Sequence, residues 1–185
     1  MDRTMTEKAE ARERTAGRRV WFEGAARRYY AGVYNYLRWL CRDVALAEDL
    51  TQETFTRLWQ HPPERRGEHP LRAWIYRVAR NEYLQHRRRA GLETVALEEC
   101  AEVADETMPP PEVKLAREAL GQAVRAAVEK LPDLYREVVV LHNLEDLPLA
   151  QVALVLEIPV GTVKSRRAKA FVALRTLLAE QETAR

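Results

Sequence analysis

Along residues 18–40, apolar side chains return at three- and four-residue steps: Val20, Trp21, Phe22, Ala25, Tyr29, Val33, Tyr36, Leu37 and Leu40. That period predicts a long amphipathic helix, weakened by about 1 kcal/mol relative to Ala at each of Gly24 and Gly32. Asp43 is the expected N-cap of a second helix over 44–60, whose apolar positions are Val44, Leu46, Ala47, Leu50, Phe55, Leu58 and Trp59. His61-Pro62-Pro63 ends it. The stretch 61–70, HPPERRGEHP, is too polar to bury and too rich in proline for a helix, so it reads as a loop. A third helix is predicted over 71–89. Leu71, Trp74, Ile75, Val78, Ala79 and Leu84 turn toward a core, and Arg72, Arg77, Arg80, Arg87 and Arg88 lie largely elsewhere.

Helical periodicity stops at 91–111 and resumes over 112–130 through Val113, Leu115, Ala116, Leu120, Ala123, Val124, Ala127 and Val128. Leu131-Pro132-Asp133 breaks it, with Asp133 the expected N-cap of a helix over 134–144. The stretch 147–178 then carries two short patterns around a break at Glu157-Ile158-Pro159. Leu149, Val152, Ala153 and Leu156 mark the first; Val160, Val163, Ala170, Val172, Leu174, Leu177 and Leu178 mark the second. Before residue 18 the chain is polar with alternating charge, and 1–17 is expected as a frayed tail or a loosely held helix. The predicted fold is all-α: two small helical domains, 18–90 and 112–180, joined by an acidic flexible linker at 91–111, the second domain ending in a helix-turn-helix.

Charge sharpens this division. Over 61–90 there are eight Arg against three Glu, a balance of +5; over 91–120 eight acids face two basic residues, a balance of −6; over 160–175 the balance is +5. Two basic blocks separated by an acidic one suggest two anion-binding surfaces and a spacer that does not bind anions. In the final helix Lys164, Arg166, Arg167, Lys169 and Arg175 are followed by no acid before Glu180. A basic helical hairpin is often only a solvated face. Here the charge falls early in the second helix, and Thr162, Lys164, Ser165 and Arg166 put donors near a helix N-terminus, the pattern of a DNA-reading helix-turn-helix.

Other chemistries find little support. Cys41 and Cys100 lack zinc-ligand spacing and are too few for a disulfide framework; no His cluster suggests a metal, and no cofactor is expected. There is no phosphate-binding Gly loop or nucleophile motif, so an enzyme is not expected. No apolar run approaches a membrane span, and the N-terminus lacks a signal-peptide core, which predicts a cytoplasmic protein.

Three segments in order resemble the extracytoplasmic-function (ECF) sigma factors of bacterial RNA polymerase. Residues 47–55, AEDLTQETF, are similar to the family's region-two signature. Residues 71–81, LRAWIYRVARN, are similar to its −10-reading, promoter-melting helix. Leu131-Pro132, Arg136-Glu137-Val138-Val139 and 159–166, PVGTVKSR, are similar to region four. The resemblance implies a non-catalytic promoter-specificity subunit that partners core RNA polymerase, at its clamp helices and flap, and promoter DNA. It further implies control by a separate anti-sigma factor and no membrane insertion.

Residue by residue, it implies clamp docking by Asp49, Gln52, Glu53 and Phe55. It implies −10 contacts by Arg65, Arg66, Trp74, Tyr76, Arg77, Arg80, Asn81, Arg87 and Arg88. For −35 it implies Thr162, Lys164, Ser165, Arg166, Arg167, Lys169 and Arg175. Trp74 also suits a core position, and Tyr76 and Tyr83 suit either. The chain departs from the family pattern at Glu157, where Gly is common, at Arg167, where an apolar residue is common, and at Phe171, where a basic one is common. A left-handed Glu157 would cost about 1–2 kcal/mol. The alternative reading of the residues is a free-standing helix-turn-helix regulator acting as a dimer.

Overall fold

A computed structural model describes the backbone of residues 2–63, 68–91 and 114–183, with side chains at 15–63, 71–91 and 121–180. Seven α-helices and no strand occur among the described residues: α1 Asp2–Cys41, α2 Val44–Gln60, α3 Glu68–Arg89, α4 Lys114–Lys130, α5 Asp133–Val139, α6 Leu149–Leu156 and α7 Val160–Thr183. A π-helical turn, Val140–Leu144, follows α5 directly. The chain divides into two compact units, Met1–Gln85 and His86–Arg185. The expected linker 91–111 lies, apart from Gly91, outside the described residues.

In the first unit α1 runs unbroken from Asp2, so residues 2–17 of the expected tail are the first part of that helix. Its Glu, Lys, Arg, Ala and Met are helix formers that need no apolar stripe. Arg42 closes α1 in the left-handed region (φ 57°) and donates its backbone N–H to the Arg38 carbonyl at 3.2 Å. Asp43 then caps α2, its carboxylate accepting from Leu46 N at 3.2 Å, as the residue type at that position predicts. Buried Val33, Tyr36, Leu37 and Leu40 from α1, Ala47, Leu50 and Leu58 from α2, and Ala73, Ile75 and Ala79 from α3 make the core. Thr51 and Thr54 are also buried, and their hydroxyls donate to the carbonyls of Ala47 (2.6 Å) and Leu50 (2.7 Å), one turn back.

Two Arg side chains tie these helices together. Arg57 of α2 pairs with the buried carboxylate of Glu82 on α3. Arg18 of α1 donates to the carbonyls of Trp59 and Gln60 (3.4 Å to the latter), and its guanidinium lies 4.8 Å from the Trp59 ring centre. It thereby satisfies the orphan carbonyls at the C-terminus of α2.

α3 begins at Glu68 rather than at Leu71, a correction to the loop expected over 61–70. Pro70 falls in the first turn, where a missing N–H costs nothing.

In the second unit the core comes from Ala127, Val128, Leu131, Val138–Leu141, Leu147, Val152, Val155, Leu156, Val163, Ala170 and Leu174. Arg136, only 2% exposed, is its polar pin. It donates to the carbonyls of Val128 (3.2 Å), Glu129 (3.0 Å) and Leu131, and to the Asp133 carboxylate (2.8 Å). One guanidinium thus covers the C-terminal carbonyls of α4 and is charge-balanced by the first residue of α5. Asp133 is therefore not the N-cap; Pro132 is, its carbonyl accepting from Tyr135 and Arg136.

The helix expected over 134–144 divides, because beyond Val139 the backbone widens: Glu145 N bonds Val140 O at 2.9 Å, five residues back. His142 Nδ1 lies 2.8 Å from the Leu147 carbonyl and secures the approach to α6. α6 ends at Glu157, which is left-handed (φ 57°, ψ 42°). The N–H groups of Glu157 and Ile158 both reach the Ala153 carbonyl, and Pro159 bars continuation. α7 then starts from the Pro159 carbonyl, 3.1 Å from Val163 N. α6 and α7 are the helix-turn-helix.

Candidate polymerase and promoter surfaces

α2 turns Ala47, Leu50, Thr51, Thr54, Phe55 and Leu58 inward, which leaves Glu48, Asp49, Gln52 and Glu53 on an open acidic strip. Glu53 lies 3.7 Å from Arg57 Nε, one turn on. Phe55 does not belong to this strip, a correction. It is 5% exposed and packs against Phe22 (6.5 Å between ring centres, edge-on) and Tyr30 (5.2 Å). Trp59 is the reverse case: it reads as core from periodicity but is 36% exposed. It stands seven residues after Gln52, on the same stripe, and that interval was the available signal.

α3 brings Trp74, Arg77, Asn81 and Arg88 onto one stripe, with Asn81 and Arg88 exposed and Trp74 and Arg77 half-buried. Arg80 and Arg87 are half-buried on its flank. Tyr76 is not on that surface, a second correction. It is 2% exposed, its ring 5.7 Å from that of Tyr36 and capped by the Arg72 guanidinium at 6.0 Å. Tyr83 is buried too. Arg65 and Arg66 lie outside the described residues.

On α7, Val163, Ala170 and Leu174 point inward, and Gly161, Lys164, Ser165, Ala168, Val172 and Arg175 form the open face. Thr162, Arg166 and Lys169 are half-buried along one edge of it. Arg167 is on the opposite edge, its guanidinium 5.3 Å from the ring centre of Phe171. The seven predicted residues therefore do not make a single row. Phe171, 44% exposed, stands among them and was not in the predicted set.

Cys41 is half-buried, and burial, with the Asp43 carboxylate adding to it and Arg38 opposing, pushes its thiol up to about 12. It is a protonated thiol at neutral pH, not a reactive one; Cys100 lies outside the described residues. Among the described residues no group of three or more His, Cys, Asp or Glu side chains could hold a metal ion, and no helix is long and apolar enough to cross a membrane.

Residues 25–93 match the family model of sigma-70 region 2, and residues 121–174 match that of sigma-70 region 4. The chain is 38% identical over 152 residues to the ECF RNA polymerase sigma factor SigL of Mycobacterium tuberculosis, covering 81% of this chain and 84% of the relative. It is 30% identical over 161 residues to SigW of Bacillus subtilis, with the same coverage. In fold it is similar to RpoE from Bartonella quintana, solved with the anti-sigma factor NepR (TM-score 0.63, 22% identity, 85% of this chain and 96% of that one). It is likewise similar to CnrH, solved with the cytosolic domain of CnrY (TM-score 0.61, 23% identity, 86% and 88%).

Two helical units carrying regions 2 and 4 define a transcription initiation factor of the sigma-70 class, a polymerase subunit and not an enzyme. The chain belongs to the ECF sigma factors within that class. It partners core RNA polymerase and promoter DNA to direct promoter-specific initiation, and the free-standing dimeric regulator is not favoured.

Proposed function

We propose the following division of labour. The domain 18–90 docks on the polymerase clamp helices through Asp49, Gln52 and Glu53. It holds the melted −10 element with Trp74, Arg77, Arg80, Asn81, Arg87 and Arg88, together with Arg65 and Arg66. The domain 112–180 rests near the flap and reads the −35 element through α7. Lys164 and Ser165 face bases, Arg166 and Lys169 the groove edge, and Thr162 and Arg175 phosphates. Arg167 acts from the other edge. The acidic segment 91–111 runs toward the active-site channel, where it competes with nucleic acid for cationic surface. An anti-sigma factor, of the kind solved with the similar RpoE, sequesters the free chain in the cytoplasm.

The observation that carries this reading is the contrast in charge between two open helix faces, one in each unit. The strip on α2 is acidic and suits an arginine-bearing protein partner. The face on α7 is cationic, with no acid from 158 to 179, and suits phosphate and guanine. Melting without ATP requires the single-stranded state to be bound. Each captured base returns about 1–3 kcal/mol on stacking and cationic surface, comparable with the roughly 1.4 kcal/mol of a lost duplex step.

The test is reciprocal. Lys164→Ala with Arg166→Ala reduces run-off transcription from −35-dependent promoters and leaves core affinity unchanged. Asp49→Ala with Glu53→Ala weakens core binding and leaves −35 preference unchanged among the complexes that form. A loss of core affinity in the first pair, or none in the second, overturns the assignment.

A further inference from the structure

Phe171 is a large apolar side chain left 44% exposed on the cationic face of α7. Lys164, Phe171 and Arg175 share one stripe of the helix, at i, i+7 and i+11. If the cations at both ends of that stripe meet DNA, the ring between them meets it too. Arg167, one turn before Phe171, is held by the ring itself: its guanidinium lies 5.3 Å from the ring centre, and its Nε is buried without a hydrogen-bond partner among the described residues. The pair is a flat apolar plate with a cation fixed on it. A phosphate offers such a plate nothing, because the ring carries neither charge nor donor. The major-groove edges of the bases offer one apolar group, the C5 methyl of thymine.

We propose that Phe171 is a specificity-determining residue that contacts a thymine methyl in the −35 element, with Arg167 positioned by the ring against the neighbouring base or phosphate. This rests on α7 as the −35 reader. It assigns the chain a preference for an A·T pair reached two helical turns along α7 from Lys164, and it gives the exposed ring a partner of matching chemistry.

The experiment uses the full chain with core polymerase on a promoter selected from a library randomised over the −35 element. Each thymine of that element, on either strand, is replaced in turn by deoxyuridine, which removes only the methyl. With the wild-type chain one position loses about fourfold in open-complex formation, the transfer cost of a single buried methyl. With Phe171→Ala the same replacement changes nothing, while thermal melting of the free variant matches wild type. A selected element without an A·T pair, or a scan with no position whose methyl dependence vanishes in Phe171→Ala, overturns the proposal. Lys164→Ala, run in parallel, separates the two failures. If it abolishes −35 dependence while the methyl scan is flat, only the Phe171 contact falls. If it leaves −35 dependence intact, the assignment of α7 as reader falls, and the Phe171 contact falls with it.

Discussion

α3 and α7 are built from the same materials, Arg and aromatic side chains on a helix of some two dozen residues, yet they bury them in opposite ways. On α3 the aromatics go in: Tyr76 and Tyr83 are buried, Trp74 is half-buried, and Asn81, Arg88 and Arg89 stay outside. On α7 the aromatic comes out: Phe171 is exposed, and the Arg beside it is half-buried on its ring. The difference lies in what each helix packs against. α3 meets a unit that already supplies Tyr36, Val33 and Leu37 from α1 and can enclose a large ring. α7 buries Val163, Ala170 and Leu174 against its neighbours and carries its Phe171 on the outside. Under the proposed division of labour, enclosed rings would keep α3 rigid while a strand is separated, and a ring at the surface of α7 would be free to meet a duplex.

The largest effect that tests this contrast is the paired removal of the two rings. Tyr76→Ala empties a fully enclosed site and is expected to destabilise the first unit by about 3–5 kcal/mol. Phe171→Ala removes an exposed ring and is expected to stay within about 0.5 kcal/mol. Urea titration of the full chain, followed by far-ultraviolet circular dichroism, reads both. Comparable losses from the two substitutions would mean that Phe171 is a packing residue and would end the contrast.

Much of this is legible in the sequence. The periods of α2 and α7, the Asp43 cap, the stop at His61-Pro62-Pro63 and the break at Pro159 rest on local chemistry, and each recurs in the structure. What was hidden depends on partners distant in sequence. Phe55 is four residues from Thr51 and three from Gln52, so its spacing fits the docking strip as well as the core. Only Phe22 and Tyr30 on another helix decide for the core. Tyr76 is settled in the same way by Tyr36. Arg136 is legible in the sequence only as part of the region-four segment; that it pins the C-terminus of α4 depends on carbonyls of another helix. The widening at Val140–Leu144 leaves no signal in the apolar spacing, although Val140 and Leu141 are both buried within it.

A middle-sized effect probes how α3 is held. Arg57 pairs with Glu82, whose side chain is 8% exposed, while that of Arg57 is 40% exposed. Arg57→Ala leaves a carboxylate facing the core without that cation. A fully buried pair would cost about 3–5 kcal/mol. With one partner this open to solvent, about 1–2 kcal/mol is expected. Because the pair joins α2 to α3, the variant is also expected to lose more activity on promoters that demand melting than on a pre-melted −10 template with the same −35 element. The same deficit on both templates would show that the pair stabilises the unit without orienting α3. Replacing both partners by apolar residues of similar size should recover most of the stability.

The smallest effect concerns the turn before α7. Glu157 stands at φ 57°, exposed, where its side chain carries a cost that glycine avoids. Glu157→Gly removes about 1–2 kcal/mol of backbone strain and gives part of it back through the greater freedom of the unfolded chain. The expected net gain is therefore below about 1 kcal/mol, read as a small upward shift in the melting of the second unit within the full chain. The backbone bonds from residues 157 and 158 to Ala153 do not involve the side chain, so the direction in which α7 leaves the turn is preserved. Transcription from a −35-dependent promoter is accordingly expected to stay at the wild-type level. If Glu157→Gly instead lost −35 preference while gaining stability, the turn and not the face of α7 would be what tunes reading. The contrast with α3 would then rest on how rigidly each helix is held, rather than on which of its side chains are turned outward.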